Sequence, residues 1–213
     1  MQLTIREPGS AITHFIGCLM ALIAASPLLI KAHGNTTYML AMTIFATSMV
    51  LLYAASTIYH SICHVSAKVL RNFQKLDHMM IFVLIAGSYT PICLIALKGH
   101  TGKLLCILVW SVALVGIIVK ACWITCPKWF SSVIYIAMGW VCVLVFGPLL
   151  KTLSTPAFLW LLAGGIIYTV GGVIYALKLP IFNAKHKFFG SHEVFHLFVM
   201  GGSVCHFIFM YLY

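Results

Sequence analysis

Apolar residues run along the chain in seven stretches, each close to the roughly 20 residues a helix needs to cross the hydrocarbon of a bilayer. Windows of about 19 residues predict spans at Ala11–Ile30, Thr37–Ile58, His78–Leu97, Leu104–Trp123, Ser131–Leu150, Ala157–Leu177 and Glu193–Leu212. The breaks between them hold turn formers and charges that hydrocarbon does not tolerate, as in Lys31-Ala-His-Gly-Asn35, Lys98-Gly-His-Thr-Gly-Lys103, Cys126-Pro-Lys128 and Leu179-Pro-Ile-Phe-Asn183. Ala24, Ala25 and Ser26 imitate a signal-peptide cleavage site, but Arg6 is offset by Glu7 and the apolar stretch is too long for a signal sequence. It is read as helix one. The predicted fold is all-α, a polytopic membrane protein made of one seven-transmembrane helix bundle over residues 1–213, with short loops and no separate soluble domain.

Composition supports this, because 62% hydrophobic and 8% charged residues leave too little polar side chain to cover a water-soluble domain. The net charge of +10 comes from 13 Lys and Arg against 3 Asp and Glu. These cations lie singly or in small groups between apolar runs, which points to anionic lipid headgroups as partners. No basic stripe with interleaved aromatics suggests nucleic acid. The eight cysteines read as buried thiols; Cys122 and Cys126 are i,i+4 but lack a further ligand nearby.

Orientation follows from the cations. Nine (Arg6, Lys68, Arg71, Lys75, Lys120, Lys128, Lys178, Lys185 and Lys187) fall on the N-terminal side and four (Lys31, Lys98, Lys103 and Lys151) on the other. The excess of positive charge inside places the N-terminus in the cytoplasm and the C-terminus outside.

With that topology the costly residues converge on the cytoplasmic face. Ser56 and His60 close helix two, Asp77 and His78 open helix three, and His192, Glu193 and His196 open helix seven. The chain's three acidic residues, Glu7, Asp77 and Glu193, are each expected at the cytoplasmic end of an odd-numbered helix. A carboxylate retained in a membrane helix suggests a partner; for Asp77 the plainer alternatives are an ion pair with Lys75 or the N-cap of helix three. His192 and His196 are i,i+4, about 40° apart around a helix and about 6 Å along it, so both imidazoles face one point. Ser56 and His60 share that spacing. His64, His33, His100, His186 and His206 are weaker candidates, and His14 is expected to be a hydrogen-bond donor between helices.

His192-Glu193-Val194-Phe195-His196 also fits H-E-x-x-H, the zinc-protease helix in which the glutamate activates water. After His196 there is no carboxylate, and the only histidine is His206; the extended metzincin pattern fails at Val199. A third ligand must therefore come from an earlier helix, and His60 is the best placed. Three histidines leave the fourth position of a zinc open, as in catalytic sites, with Asp77 across the bundle as a proton acceptor.

Glu7-Pro8-x-Ser10-x-x-Thr13-His14-x-x-Gly17, Ser56-Thr-Ile-Tyr-His60, Leu76-Asp77-His78, Gly87-Ser-Tyr-Thr-Pro91, Gly171-Gly172-x-x-Tyr175 and His192-Glu-x-Phe-His196 together resemble the bacterial haemolysin III family. That family is related to the progestin and adipoQ receptors and, more distantly, to alkaline ceramidases. The resemblance spans helices one to seven. It implies a multi-pass protein of the bacterial plasma membrane with Zn2+ held by His60, His192 and His196. It further implies Asp77 beside the water of that site and Ser56 as its helix-two serine. Glu193 matches a position that relatives can fill with an amide, which argues against the protease-type base.

Three functions follow as expectations. The first is a zinc-dependent lipid amide or ester hydrolase in membrane homeostasis, with Asp77 as base, Ser56 or a backbone N–H supporting the oxyanion, and a fatty-acyl chain lying within the bundle. The second is a non-enzymatic sensor or regulator of membrane state with zinc as a structural clamp. In it Gly17, Gly87, Gly116, Gly164, Gly165, Gly171, Gly172, Gly201 and Gly202 let helices approach closely. The third is a haemolysin or pore, against which stands the lack of a line of charged residues through the bilayer.

Overall fold

The computed structural model describes residues 5–177 and 188–213; the break expected at residues 179–183, the cations Lys178, Lys185 and Lys187, and His186 lie outside them. Every regular element among the described residues is helical, and seven segments are long and apolar enough to cross a membrane. Helix α1 (Pro8–Ala32) starts on a proline, whose missing N–H is no loss in a first turn. Helix α2 (Thr36–Ser61) is capped by Asn35, whose side chain accepts the Tyr38 N–H at 3.1 Å. Helix α3 (Ala67–Pro91) runs on into a π turn at Ile92–Ala96, and α4 covers His100–Cys122. The fifth span comprises α5 (Lys128–Gly139), a 3-10 segment at Trp140–Val145 and α6 (Phe146–Thr152). Helices α7 (Thr155–Leu177) and α8 (Ser191–Leu212) complete the bundle.

Helix α3 corrects one expectation. It begins at Ala67, capped by the Ser66 hydroxyl, instead of opening at Asp77 and His78. Lys68, Arg71 and Lys75 lower the hydropathy of its first turns, so an apolar window passes over a segment that is helical and amphipathic. Asp77 is consequently neither an N-cap nor a partner of Lys75. It is a buried residue within the helix, and it forms no ion pair among the described residues.

The break in the fifth span leaves backbone groups without helical partners, which a bilayer does not tolerate unless another group supplies the bonds. Tyr89 of α3 does so. Its hydroxyl donates to the Gly139 carbonyl at 2.5 Å and accepts the Cys142 N–H at 2.8 Å. This gives the Gly87-Ser-Tyr-Thr-Pro91 block a structural task.

Helix α1 packs on both α2 and α8, α2 on α3, and α7 on α8, so the ends of the chain close the bundle. Where α4 lies on α3, a Cβ added to Gly116 would sit 2.2 Å from the Phe82 ring, a close approach of the kind small residues permit. Phe45, Phe82, Val109 and Leu149 fill the interior, while Ile23, Ile30 and Leu144 are exposed. A wide apolar exterior of this kind belongs in lipid.

Candidate metal centre

His60 lies one residue before the end of α2, and His192 and His196 lie in the first two turns of α8. Each offers one nitrogen, and the three nitrogens lie within 4.8 Å of one another. His60 Nε2 and His192 Nε2 are 3.3 Å apart. Two nitrogens on a tetrahedral zinc, each about 2.0 to 2.1 Å from the ion, are separated by roughly 3.3 Å, so this pair fits such an ion. His60 and His196 are buried, and His192 is partly so.

The N-terminal turn of α1 wraps this cluster. The Glu7 carboxylate pairs with His60 Nδ1, and the Glu7 N–H donates to the His60 carbonyl at 3.0 Å. The hydrogen bond from His60 and the positive charge of Arg6 hold the Glu7 carboxyl below its usual range despite partial burial. Thr13 Oγ1 lies 3.1 Å from His196 Nδ1. The Ser10 hydroxyl donates to one Glu193 oxygen, and the other accepts the Gly190 N–H at 2.7 Å. Only glycine fits at position 9, where an added Cβ would lie 2.0 Å from the Phe188 carbonyl oxygen.

His14 departs from its expected role as a donor between helices. Its ring stacks on that of His196, with centroids 3.5 Å apart and planes 11° from parallel, and neither nitrogen has a hydrogen-bond partner.

Asp77 and Ser56 reach the same region from α3 and α2. Both are buried, and the Ser56 hydroxyl lies beside the Asp77 carboxylate, short of a well-formed hydrogen bond. Asp77, His78, Tyr175 and His192 border two spaces at once. One is an apolar cavity of about 140 Å3 that extends between the helices to Phe158 and His206. The other is a mouth of about 320 Å3 lined by polar residues including Glu7, Gln74 and Lys128.

His64 is exposed at a positive φ of 56° beyond α2, and His33 and His100 are exposed as well. Cys122 is exposed, whereas Cys126 is buried 3.1 Å from the Nζ of Lys120, which also donates to Ser131 at 2.5 Å. Sequence reasoning missed the contacts of Glu7 and Thr13 with the cluster, although both stand in the block Glu7-Pro8-x-Ser10-x-x-Thr13.

The pattern of the family described as Haemolysin-III related matches residues 3–207. The chain is similar to Hemolysin-3 of Bacillus cereus, at 39% identity over 214 residues, covering 100% of this chain and 93% of that protein. It is similar to the Hemolysin-3 homolog of Bacillus subtilis (strain 168), at 39% identity over 213 residues, covering 99% of this chain and 95% of the relative. Similarity extends to Progestin and adipoQ receptor-like protein 1 of Caenorhabditis elegans, at 27% identity over 221 residues, covering 94% of this chain and 50% of that protein.

Proposed function

The chain belongs to the haemolysin III family and is a multi-pass bacterial membrane protein; on that premise we propose that it is a zinc-dependent hydrolase of a lipid amide or ester, acting at the cytoplasmic face. The observation that carries this reading is the position of the three-histidine cluster and Asp77 where the apolar cavity meets the polar mouth. An acyl chain would lie in the cavity with its headgroup in the mouth, and the bond joining them would pass the imidazoles. His60, His192 and His196 would hold the ion, which when bound supplies a Lewis acid for the carbonyl and makes water more acidic. Asp77 takes the proton of the attacking water and returns it to the departing amine or alcohol. Ser56, beside Asp77 and with its hydroxyl unpaired among the described residues, can donate to the developing oxyanion.

Chelation of the purified protein is expected to abolish lipid hydrolysis, and zinc to restore it; hydrolysis unchanged after complete metal removal would end the proposal. Elemental analysis is expected to find about one zinc per chain, with marked loss in His60→Ala, His192→Ala and His196→Ala. Undiminished zinc in His60→Ala would remove that residue from the ligand set.

The cytoplasmic placement has its own test. A fluorescent protein fused to the N-terminus should glow inside the cell, and alkaline phosphatase fused after Tyr213 should be active outside. The reverse pattern would put the mouth on the outer face.

A structural clamp is the second reading. It is favoured by the tight tying of α1, α2 and α8 around the cluster through Glu7, Ser10 and Thr13.

A further inference from the structure

Resting on the metal reading above, we infer that the first turns of α1 are the outer support of the centre: Glu7 and Thr13 preset the tautomers of His60 and His196 so that both present Nε2 for a metal.

A neutral imidazole carries one proton, and only its other nitrogen can bind a cation. Which nitrogen that is depends on the hydrogen bond made by the far side of the ring. For His60 the far side is Nδ1, which faces the Glu7 carboxylate. An ionised carboxylate only accepts, so the proton sits on Nδ1 and Nε2 keeps its lone pair. That Nε2 is the atom 3.3 Å from His192.

For His196 the group on the far side of the ring is a hydroxyl. Thr13 Oγ1 has one proton, and it is directed to the carbonyls of Gly9 at 3.0 Å and Ser10 at 2.9 Å. With its proton drawn to those carbonyls, the oxygen is left to accept from His196 Nδ1, at 3.1 Å. The proton of His196 is again on Nδ1, and Nε2 is again free. Two rings on two helices are set by residues of a third.

Glu7 occupies the N-cap position of α1, yet its side chain makes no capping hydrogen bond to that helix. It turns to His60 instead, and its main-chain N–H is tied to the carbonyl of the same residue. Arg6, 4.2 Å over the Tyr59 ring, holds the approach from the other side. An ordinary helix-start glutamate would show neither feature. His192 lacks such support, since its Nδ1 has no hydrogen-bond partner.

The test uses the full chain in detergent with zinc as the probe, its affinity read by competition with a chelator. Loss of an outer hydrogen bond to a metal-binding histidine typically weakens affinity about 10- to 100-fold. Glu7→Ala and Thr13→Val are each expected to weaken zinc binding by that factor. Thr13→Ser, which keeps the hydroxyl, should restore it, and Glu7→Gln, which keeps an acceptor oxygen, should fall between wild type and Glu7→Ala. Nitrogen NMR of the metal-free chain should show Nδ1–H tautomers for His60 and His196, with the His196 preference reduced in Thr13→Val.

Wild-type zinc affinity in both Glu7→Ala and Thr13→Val, with His60→Ala still losing metal, overturns the inference and leaves the metal site standing. Equal loss in Thr13→Val and Thr13→Ser reduces Thr13 to a packing residue and overturns its role. A wild type that binds no zinc overturns the metal reading and this inference together.

Discussion

Asp77→Asn is expected to lower turnover of a lipid amide or ester by about 10² to 10⁴ while zinc content stays at the wild-type level. Asparagine keeps the size of the side chain and one acceptor oxygen, so the packing of α3 survives, but it cannot take a proton from water. Asp77 is well placed for the role, being buried, bordering both the cavity and the mouth, and lying on a different helix from each of the three imidazoles.

Glu193→Gln is the matched control, because a protease-type reading of His192-Glu193-Val194-Phe195-His196 assigns the base to Glu193. Both oxygens of Glu193 are engaged, one by the Ser10 hydroxyl and one by the Gly190 N–H. Glutamine retains one acceptor, and most activity should remain. A dead Glu193→Gln beside an active Asp77→Asn would reverse the assignment. If the zinc-loaded wild type hydrolyses no lipid and Asp77→Asn alters only a membrane phenotype, the clamp is the better description.

The seven spans were legible because helices in a bilayer are read mainly by continuous apolar length, and little in this chain disturbs that signal. It failed where helix and membrane part company. The start of α3 is polar and helical, and the 3-10 break at Trp140–Val145 is apolar and not α-helical, so hydropathy registers neither correctly. Within the site, His192 and His196 were visible because i,i+4 spacing on one helix is a local property, and His60 followed from the face on which α2 ends.

Glu7, Thr13 and His14 were not legible in the same way. Glu7 does pair with Arg6, at 3.4 Å, as their neighbouring charges suggest, but its second contact, with His60, and the stacking of His14 on His196 arise only because α1 is wedged between α2 and α8. Contacts such as Glu7 with His60 and Thr13 with His196 join residues far apart in the chain. No local periodicity encodes which helices become neighbours.

Gly165→Leu is expected to convert a preference for long acyl chains into one for short chains. Gly165 was expected to serve close helix contact, but a Cβ added there meets nothing within 4 Å, and the residue lines the apolar cavity. It lies about 15 Å along α7 from Tyr175, which borders the mouth, at 1.5 Å per residue. A leucine side chain at this depth would take the place of roughly three methylenes of a bound chain. Each buried methylene is worth about 0.8 kcal/mol, so long substrates should lose about 2.4 kcal/mol of binding in the transition state, or about 50-fold in kcat/KM. Chains too short to reach Gly165 should be hydrolysed as by wild type, because neither the imidazoles nor Asp77 has moved. The measurement is kcat/KM across a series of substrates differing only in acyl length, with zinc content checked in parallel. A fall of equal size at every length would mean that leucine distorts the bundle, and no change at any length would mean that the acyl chain lies elsewhere.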